Sequence, residues 1–309
     1  MKNQIVDIIR NHERFEIITH EGPDEDAVGS SRALAYALLS MGKMVKLVYP
    51  TPIPGSLLFT PAPKNHKSVK PQISILLDVS DMNMLGGLHP RGEVVIIDHH
   101  KTENKAGMTC WIDSRKSSAS EMVYDLLRVL EVEITQAIAS NLYLGIFGDT
   151  GGFIHANTTP RVFRIAYELA KAGADPNLIA YRVRRSRSMT YFHILSMVMD
   201  RMIMAEGVFG SYISLQELKR VKAKPEDASG IVEEMASLAG AELVIFLKEL
   251  NPDSVHCSMR SKTTPSALKT AQAFGGGGHE RAAGFTLKGR ACDNIEEIIE
   301  EGLKWVNRG

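Results

Sequence analysis

The stretch VVIIDHH, residues 94–100, joins four apolar residues to an acid and two imidazoles. The stretch ISILLD, residues 73–78, has a related form, an apolar run that ends in an acid. Apolar runs of this length are typical of strands that are buried on both faces of a parallel sheet. Both stretches therefore predict strands of an α/β domain, with charged groups placed where each strand ends.

The rest of the first half alternates strand and helix patterns, which favours a parallel sheet with helices around it. Further strands are predicted at 15–19 and 44–49. Helices are predicted at 26–42 and near 119–131, 134–146, 160–172 and 176–184. The segment 50–71 contains six prolines, so we expect a loop with little regular structure.

The second half changes character and predicts a smaller α+β domain. Its predicted strands are 208–215, 243–250 and 253–261, and its helices lie near 230–239, 265–273 and 293–307. We predict a catalytic domain at 1–188, a linker helix region at 189–200 and a second domain at 201–309. A chain of 309 residues is long enough for two such cores.

Composition excludes several classes of protein. Lysine plus arginine and aspartate plus glutamate both number 36, so no global positive charge is available to hold long nucleic acid. The three cysteines are widely spaced and form neither a disulfide framework nor a zinc pattern. The sequence has no apolar run of membrane-spanning length and no signal-peptide pattern, so we expect a cytoplasmic protein without membrane association.

Four apolar segments run into acids or imidazoles: His20 follows the first strand, Asp78 the third, Asp98 to His100 the fourth, and Asp149 follows the run 141–148. In open parallel sheets, functional groups collect at the carboxyl ends of the strands. One acid after a strand is usually a turn or helix cap, but four such endings indicate a site. Asp81 competes with Asp78, which is favoured because the strand ends there.

The loop HEGPDEDAVGS, residues 20–30, adds Asp24 and Asp26 directly before a helix. One acid suffices to cap a helix, and clustered carboxylates repel each other unless cations compensate them. The mixture of carboxylates and imidazoles without thiolates suits Mn²⁺ or a similar divalent ion. We therefore predict ligands for two divalent ions, which support phosphoryl displacement: His20, Asp24, Asp26, Asp78, His99 and Asp149.

At these residues the sequence resembles the DHH phosphoesterase superfamily, in the motifs HEGPDEDAVGS, LLDVSD (76–81), VVIIDHH and FGDTGGF (147–153). The resemblance implies one ion held by His20, Asp24 and Asp78. It implies a second ion held by Asp26, Asp78, His99 and Asp149, so that Asp78 bridges the two. It also implies that His100 faces the substrate and that Asp98 orients a histidine. Glu25 departs from the family pattern, and we expect it to point to solvent.

The stretch AFGGGGHERAAGF, residues 273–285, is similar to the glycine-rich signature of the DHH-associated C-terminal domain. The substrate-binding residues that the resemblance implies are Gly276, Gly277, Gly278 and His279, with Arg260 and Ser261 as the family's Arg-Ser pair. Arginine is suited to bidentate phosphate recognition. The resemblance further implies an active site in the cleft between the two domains.

The length and the single C-terminal domain resemble the stand-alone nanoRNase and pAp-phosphatase type. This predicts hydrolysis of short RNA or DNA oligonucleotides, including dinucleotides such as pApA, to nucleoside 5′-monophosphates, with pAp as a further substrate. Cyclic di-AMP phosphodiesterase activity is one alternative, and an inactive nucleotide- or RNA-binding module is another. GGGGHERAAG argues against a family-II pyrophosphatase. The oligomeric state stays open, with a homodimer as one option.

Overall fold

Five parallel strands form the sheet of the first half of the chain, in a computed structural model that describes residues 1–66, 68–100, 108–185, 187–264 and 266–306, apart from the side chain of His279. The strands are β1 (Arg14–Ile18), β2 (Met44–Val48), β3 (Ile73–Leu77), β4 (Glu93–Asp98) and β5 (Thr109–Ile112). Their order is β2-β1-β3-β4-β5. All five residues of β3 are buried, as the apolar run predicted. The last strand, β5, was not predicted.

Six helices accompany this sheet within the described residues: α1 (Lys2–Asn11), α2 (Glu25–Ser40), α3 (Ala119–Val129), α4 (Gln136–Asp149), α5 (Pro160–Lys171) and α6 (Pro176–Arg184). Five of them start after a side chain that accepts a backbone N–H of the first turn: Asp24, Ser118, Thr135, Thr159 and Asp175. Such caps fix where each helix begins. The proline-rich segment 50–71 contains one short 3₁₀ helix, Gly55–Leu57, among its described residues, which confirms the predicted loop.

Helices α2 and α4 cross at very short range through glycines. A Cβ added to Gly29 would overlap the backbone of Asn141 and Gly145, and a Cβ on Gly145 would overlap Ser120 and Asp26. Further along, Gly148 leaves room for Glu25. The two helices therefore run antiparallel, and the start of α2 lies beside the end of α4.

The chain divides into two compact units, Met1–Ser186 and Arg187–Gly309. The second unit is built on a six-stranded mixed sheet of order β10-β11-β9-β8-β7-β6. Its strands are β6 (Ile203–Ala205), β7 (Val208–Ile213), β8 (Leu243–Asn251), β9 (Ser254–Ser261), β10 (Gly277–His279) and β11 (Ala282–Lys288). Its helices are α7 (Met189–Asp200), α8 (Leu215–Arg220), α9 (Ile231–Ala236), α10 (Ser266–Ala273) and α11 (Ala291–Val306).

The two faces of the mixed sheet are covered differently. One face packs against α10 and α11 around Leu243, Ile245 and Cys257. On the other face, α7 and α9 cover β7 and β8 around Val244 and Phe246. Strand β9 alternates between half-buried and buried residues along its whole length. Its half-buried residues lie on the second face, which is open beyond α9.

The segment predicted as a linker helix is helix α7. Its side chains Tyr191, Ile194 and Val198 are buried in the core of the second unit. Among the described residues, no helix combines the length and the apolar character that a membrane span requires.

Candidate active site

The candidate site lies at the carboxyl edge of the parallel sheet, where the strand order reverses between β1 and β3. His20 follows β1, Asp78 directly follows β3, and Asp98 is the last residue of β4. Ligand sites of doubly wound sheets form at this edge, at the point where successive crossovers turn to opposite sides. The three strand endings that the sequence singled out are therefore brought together by the sheet order.

Asp78 occupies the centre of the site. Its backbone has a φ of 58°, in the left-handed region that few residues other than glycine adopt. Its N–H donates to the carbonyl of Ile97, 3.1 Å away. Its buried carboxylate has His20 Nε2 at 3.6 Å from Oδ2 and His99 Nε2 at 3.5 Å from Oδ1. His100 Nδ1 is also 3.4 Å from Oδ1, so three imidazoles lie within 3.6 Å of this one carboxylate.

Asp78 forms a first cluster with His20 and Asp24, whose potential ligand atoms lie within 4.8 Å of one another. The carbonyl of Glu21 lies 2.9 Å from His20 Nδ1 and orients the ring, so that Nε2 faces the carboxylates. Asp24 Oδ1 accepts the N–H groups of Asp26 and Ala27. Asp24 therefore does cap helix α2, and this role uses one of its two oxygens.

A second cluster consists of Asp26, His99 and Asp149, again with potential ligand atoms within 4.8 Å. Asp26 is fully buried, and its two oxygens accept the N–H groups of Ala119 and Ser120 at 2.6 and 2.9 Å. Asp26 thus lies at the start of helix α3, where the helix dipole favours a negative charge. His99 Nε2 is 3.0 Å from Asp149 Oδ2.

Asp149 reaches this cluster by a different route from the one we predicted. The apolar run 141–148 was grouped with segments that end as strands, but it belongs to helix α4, and Asp149 is the last residue of that helix. The glycine crossing of α2 and α4 brings its carboxylate beside Asp26. The site therefore combines strand ends with one helix end.

The electrostatics of the clusters favour a bound cation. Burial and the charges of Asp149 and Asp78 raise the pKa of Asp26. Burial also raises the pKa of Asp149 to about 6, with Asp78 adding to the effect and His99 opposing it. Burial alone would lower the pKa of both histidines, but the adjacent carboxylates raise it to about 11 for His20 and about 12 for His99. Without cations, the carboxylates crowd one another and the imidazoles are held as cations.

The buried oxygens provide a further test of fit to metal ions. Asp78 Oδ1 and Asp149 Oδ2 accept no hydrogen bond from a described residue, although His99 Nε2 lies within 3.5 Å of each. The ligands of one metal ion all point at the same position. Their atoms therefore lie close together without the geometry of a hydrogen bond. With oxygen and nitrogen donors and no thiolate, the residues fit hard or borderline divalent ions.

Asp98 lies next to His100, and it forms with His100, Asp78 and His99 a third group of potential ligand atoms within 4.8 Å of one another. Its Oδ1 accepts the N–H of His100 at 3.1 Å and lies 2.7 Å from Nδ1 of the same ring. Asp98 is fully buried, whereas the His100 side chain is 27% exposed. The carboxylate fixes the ring and directs Nε2 outward.

The predicted substrate residues lie in the second unit. Arg260 Nη2 is 2.7 Å from Glu233 Oε1, so the guanidinium is held by helix α9. The Ser261 hydroxyl donates a hydrogen bond to the carbonyl of Thr264, three residues further along the chain, at 2.6 Å. Gly276 and Gly278 pass close to the backbone of β11, whereas a Cβ on Gly277 would meet open space. The side chain of His279 lies outside the described part of the structure.

The sequence and the fold both match known proteins. The family model described as the DHH family, N-terminal domain, matches residues 14–146, and the DHHA1 domain model matches residues 207–308. A curated Thermus thermophilus protein, "Bifunctional oligoribonuclease and PAP phosphatase NrnA", is 33% identical over 93% of this chain and 88% of its own length. This chain belongs to the DHH family.

Solved structures support the fold of this DHH protein. An exopolyphosphatase-related protein from Bacteroides fragilis has a TM-score of 0.85 at 22% identity, over 98% of this chain and 94% of its own. RecJ of Thermus thermophilus, solved in complex with Mn²⁺, has a TM-score of 0.57 at 13% identity, over 100% of this chain and 54% of its own. At these identities the likeness concerns the fold alone.

Two acids near the site have structural roles in this DHH protein. Asp81 Oδ1 accepts the N–H of Asn83 at 2.7 Å and caps the 3₁₀ helix Met82–Leu85, so it does not compete with Asp78. Glu25 is half-buried against Gly148, and burial and the charge of Asp24 raise its pKa. The expectation that Glu25 points to solvent is wrong.

Asn157 is a supporting residue that the sequence did not identify. Its Nδ2 donates to the carbonyls of Ser117 and Asp149, at 3.0 and 3.2 Å. His155 Nδ1 lies 3.2 Å from the same Asp149 carbonyl. The loop after α4 thereby folds back onto the end of the helix. The pattern Asn-Thr-Thr-Pro indicated only a helix start, and that part is confirmed because Thr159 caps α5.

Proposed function

We propose that this protein is a metal-dependent phosphodiesterase that hydrolyses very short oligonucleotides. Its substrates are dinucleotides such as pApA and other short RNA or DNA, which it converts to nucleoside 5′-monophosphates, with pAp as a second substrate. The observation that carries the proposal is the convergence of six predicted ligand residues, from four separate chain segments, into two clusters that Asp78 and His99 connect at 3.5 Å. The activity in the name of the Thermus thermophilus relative supports the substrate class.

Two divalent ions, with Mn²⁺ favoured, would be held by His20, Asp24 and Asp78, and by Asp26, Asp78, His99 and Asp149. When bound, such a pair supplies Lewis acidity toward phosphate oxygens and lowers the pKa of water. The donor set supports Mn²⁺, as does its presence in a RecJ of the same fold. Bound cations would also compensate the negative charges of the crowded carboxylates.

The remaining residues bind and orient the substrate. His100, fixed by Asp98 through Nδ1, presents Nε2 as a hydrogen-bond partner of the phosphate that reacts. Arg260 binds the terminal phosphate, which competes with Glu233 for the guanidinium. Ser261, Gly276, Gly277, Gly278 and His279 line the same phosphate and nucleotide site. The homodimer, the cytoplasmic location and a substrate cleft between the domains stay predictions from the sequence.

Product analysis tests this function. Full-length protein with Mn²⁺ is offered 5′-phosphorylated RNAs from dinucleotides upward, with pAp and cyclic di-AMP in parallel. Rapid release of 5′-monophosphates from dinucleotides, abolished by EDTA and restored by Mn²⁺, is the expected result. Equal or faster cleavage of cyclic di-AMP would assign the protein to cyclic dinucleotide turnover. Metal-independent binding without turnover would identify an inactive binding module.

A further inference from the structure

Asn157 joins two segments of the first unit that lie far apart in the chain. Its Nδ2, which carries two hydrogens, donates to the carbonyl of Ser117 at 3.0 Å and to the carbonyl of Asp149 at 3.2 Å. Ser117 lies 40 residues before Asn157, and Asp149 lies 8 residues before it. The two acceptors fix the orientation of the amide, because the opposite orientation would place its oxygen against two carbonyl oxygens. A single nitrogen therefore bridges the turn before α3 and the end of α4.

Each of the bridged segments positions one carboxylate of the second cluster. Asp149 is itself the last residue of α4. Asp26 accepts the N–H groups of Ala119 and Ser120, at 2.6 and 2.9 Å. These two residues begin helix α3 and follow Ser117 by two and three positions. The bridge therefore links the segment that holds Asp26 to the segment that carries Asp149.

The Ser117 end of the bridge is also held from a second side. Glu121 Oε2 accepts both the N–H and the hydroxyl of Ser117, each at 2.9 Å. Glu121 Oε1 lies 3.1 Å from Lys116 Nζ and 3.0 Å from Arg161 Nε. Ser117 and Glu121 are both buried. Because these contacts fix the turn before α3, the bridge brings the end of α4 to a fixed point.

The hydrogen bonding of Asn157 differs from that of an asparagine with a purely structural role. Its Oδ1 is buried and accepts no hydrogen bond from a described residue, and an unpaired buried polar atom costs free energy. Asn65, in the same unit, uses both ends of its amide: Oδ1 accepts the N–H of Leu47 at 3.1 Å, and Nδ2 donates to the Leu47 carbonyl at 3.0 Å. Asn157 lacks one partner but keeps the contacts that join two segments of the cluster.

We infer that Asn157 is a positioning residue of the second cluster. Its amide holds Asp149 at the distance from Asp26 that lets one divalent ion bind both carboxylates and His99. This inference rests on the proposed function for one point, the binding of an ion by this cluster. His99 Nε2 lies 3.0 Å from Asp149 Oδ2, so a shift of the end of α4 would move that oxygen away from the imidazole. Asn157 acts through a backbone carbonyl and not as a ligand.

Titration with Mn²⁺ in the absence of substrate tests this role in the full-length protein. Asn157→Asp keeps the shape of the side chain but places an oxygen against the two carbonyls, and Asn157→Ala removes the bridge without adding charge. In both variants, calorimetry is expected to show one Mn²⁺ ion bound about tenfold more weakly than in the wild type, the size typical of groups that orient metal ligands. The other ion is expected to bind with unchanged affinity.

Asn65→Ala is the matched control. It also removes two backbone hydrogen bonds from the first unit, but at strand β2, which carries none of the ligands. Denaturant unfolding measures the stability of both alanine variants. Asn65→Ala is expected to lose stability as Asn157→Ala does and to bind both ions as the wild type does. The comparison separates an effect on the metal site from a general loss of stability.

Double substitutions identify which ion is affected. Asn157→Ala combined with Asp149→Asn should bind Mn²⁺ no more weakly than Asp149→Asn alone, because both changes act on the same ion. When Asn157→Ala is combined with Asp24→Asn, which alters the first cluster, its effect should remain at full size.

Four results would overturn the inference: fewer than two Mn²⁺ ions bound by the wild type, unchanged affinity for both ions in the two Asn157 variants, equal weakening of both ions, or the same weakening of one ion in Asn65→Ala. The proposed function is judged separately, by hydrolysis of dinucleotides. A protein whose second ion depends on Asn157 but which hydrolyses no dinucleotide would refute the proposed function and leave the positioning role standing.

Discussion

The sheet edge of the first unit and the open sheet face of the second unit differ in how deeply their charged groups are buried. At the edge, Asp26, Asp78 and His99 are buried and within contact distance of further acids and imidazoles. On the open face, Arg260 and His256 are half-buried, and Ser258 lies between them on the same face of β9. A buried cluster of carboxylates requires cations, whereas an open face can receive a ligand without reorganising charge. The first region has the donor set that suits metal ions, and in the proposed function the second region receives the phosphate of a nucleotide.

Asp78→Asn gives the largest expected effect, because Asp78 belongs to the first cluster and lies 3.5 Å from His99 of the second. We expect turnover of a dinucleotide to fall about 1000-fold and the Mn²⁺ stoichiometry to drop below two. Calorimetric titration with Mn²⁺ and steady-state kinetics measure the two effects. Asp81→Asn is the control, since Asp81 caps a 3₁₀ helix. Two Mn²⁺ ions bound to Asp78→Asn would refute the bridging assignment.

Gly145→Ala tests whether the clusters at the sheet edge depend on the crossing of helices α2 and α4. The added methyl group would overlap Ser120 and Asp26, so we expect a loss of about 3 kcal/mol in the free energy of unfolding and weaker Mn²⁺ binding. Denaturant unfolding measures the first and calorimetry the second. Gly55→Ala, where a Cβ meets open space, is the matched control and should change neither. Unchanged stability of Gly145→Ala would mean that the crossing can relax.

Asp98→Asn keeps the shape of a buried group that holds His100 but removes its charge. We expect kcat to fall between about 10-fold and 100-fold with little change in Mn²⁺ stoichiometry, as for other groups that orient a functional histidine. Steady-state kinetics and metal titration separate the two quantities. The control is Asp113→Asn, whose carboxylate pairs with Arg115 on the surface. Full kcat in Asp98→Asn would show that Asp98 does not orient His100 for the reaction.

Arg260→Ala is expected to have the smallest effect, and it tests the role of the second unit in this comparison. Losing a charge-assisted phosphate contact should raise KM for a dinucleotide about tenfold, while kcat and Mn²⁺ stoichiometry stay unchanged. Arg201→Ala, in the same unit but paired with Glu217, is the control. A fall in kcat together with lost Mn²⁺ would show that the two regions do not divide metal and phosphate binding in this way.

The sequence predicted the parts of the site that depend on local patterns. The apolar runs before Asp78 and Asp98 could be identified because β3 and β4 are buried on both faces, and Ser74 is the one polar residue that interrupts the apolar part of β3. The cap role of Asp24 also follows from local chemistry, since its partners are two and three residues away. Belonging to the DHH family was recognisable from four motifs together.

The remaining features depend on contacts between distant residues. Most of the run before Asp149 lies in the helix predicted near 134–146, but that helix is apolar on nearly all sides, so its periodicity did not show that it continues to Asp149. The partners of Asp26 lie 93 and 94 residues away in the chain. The ion pair of Arg260 with Glu233 joins residues 27 apart on different elements. Strand β5 has only four residues, too few to produce a distinct pattern.

The order of the strands has a consequence for how the protein is made. The clustered groups are spread from His20 to Asp149, and the last of them comes from the end of α4. A ribosome must therefore synthesise almost half of the 309 residues before the second cluster is complete. Until then, the nascent chain carries the acids without the geometry that concentrates them. In the proposed function, the second ion would therefore be bound only after the end of α4 has emerged and packed against α2.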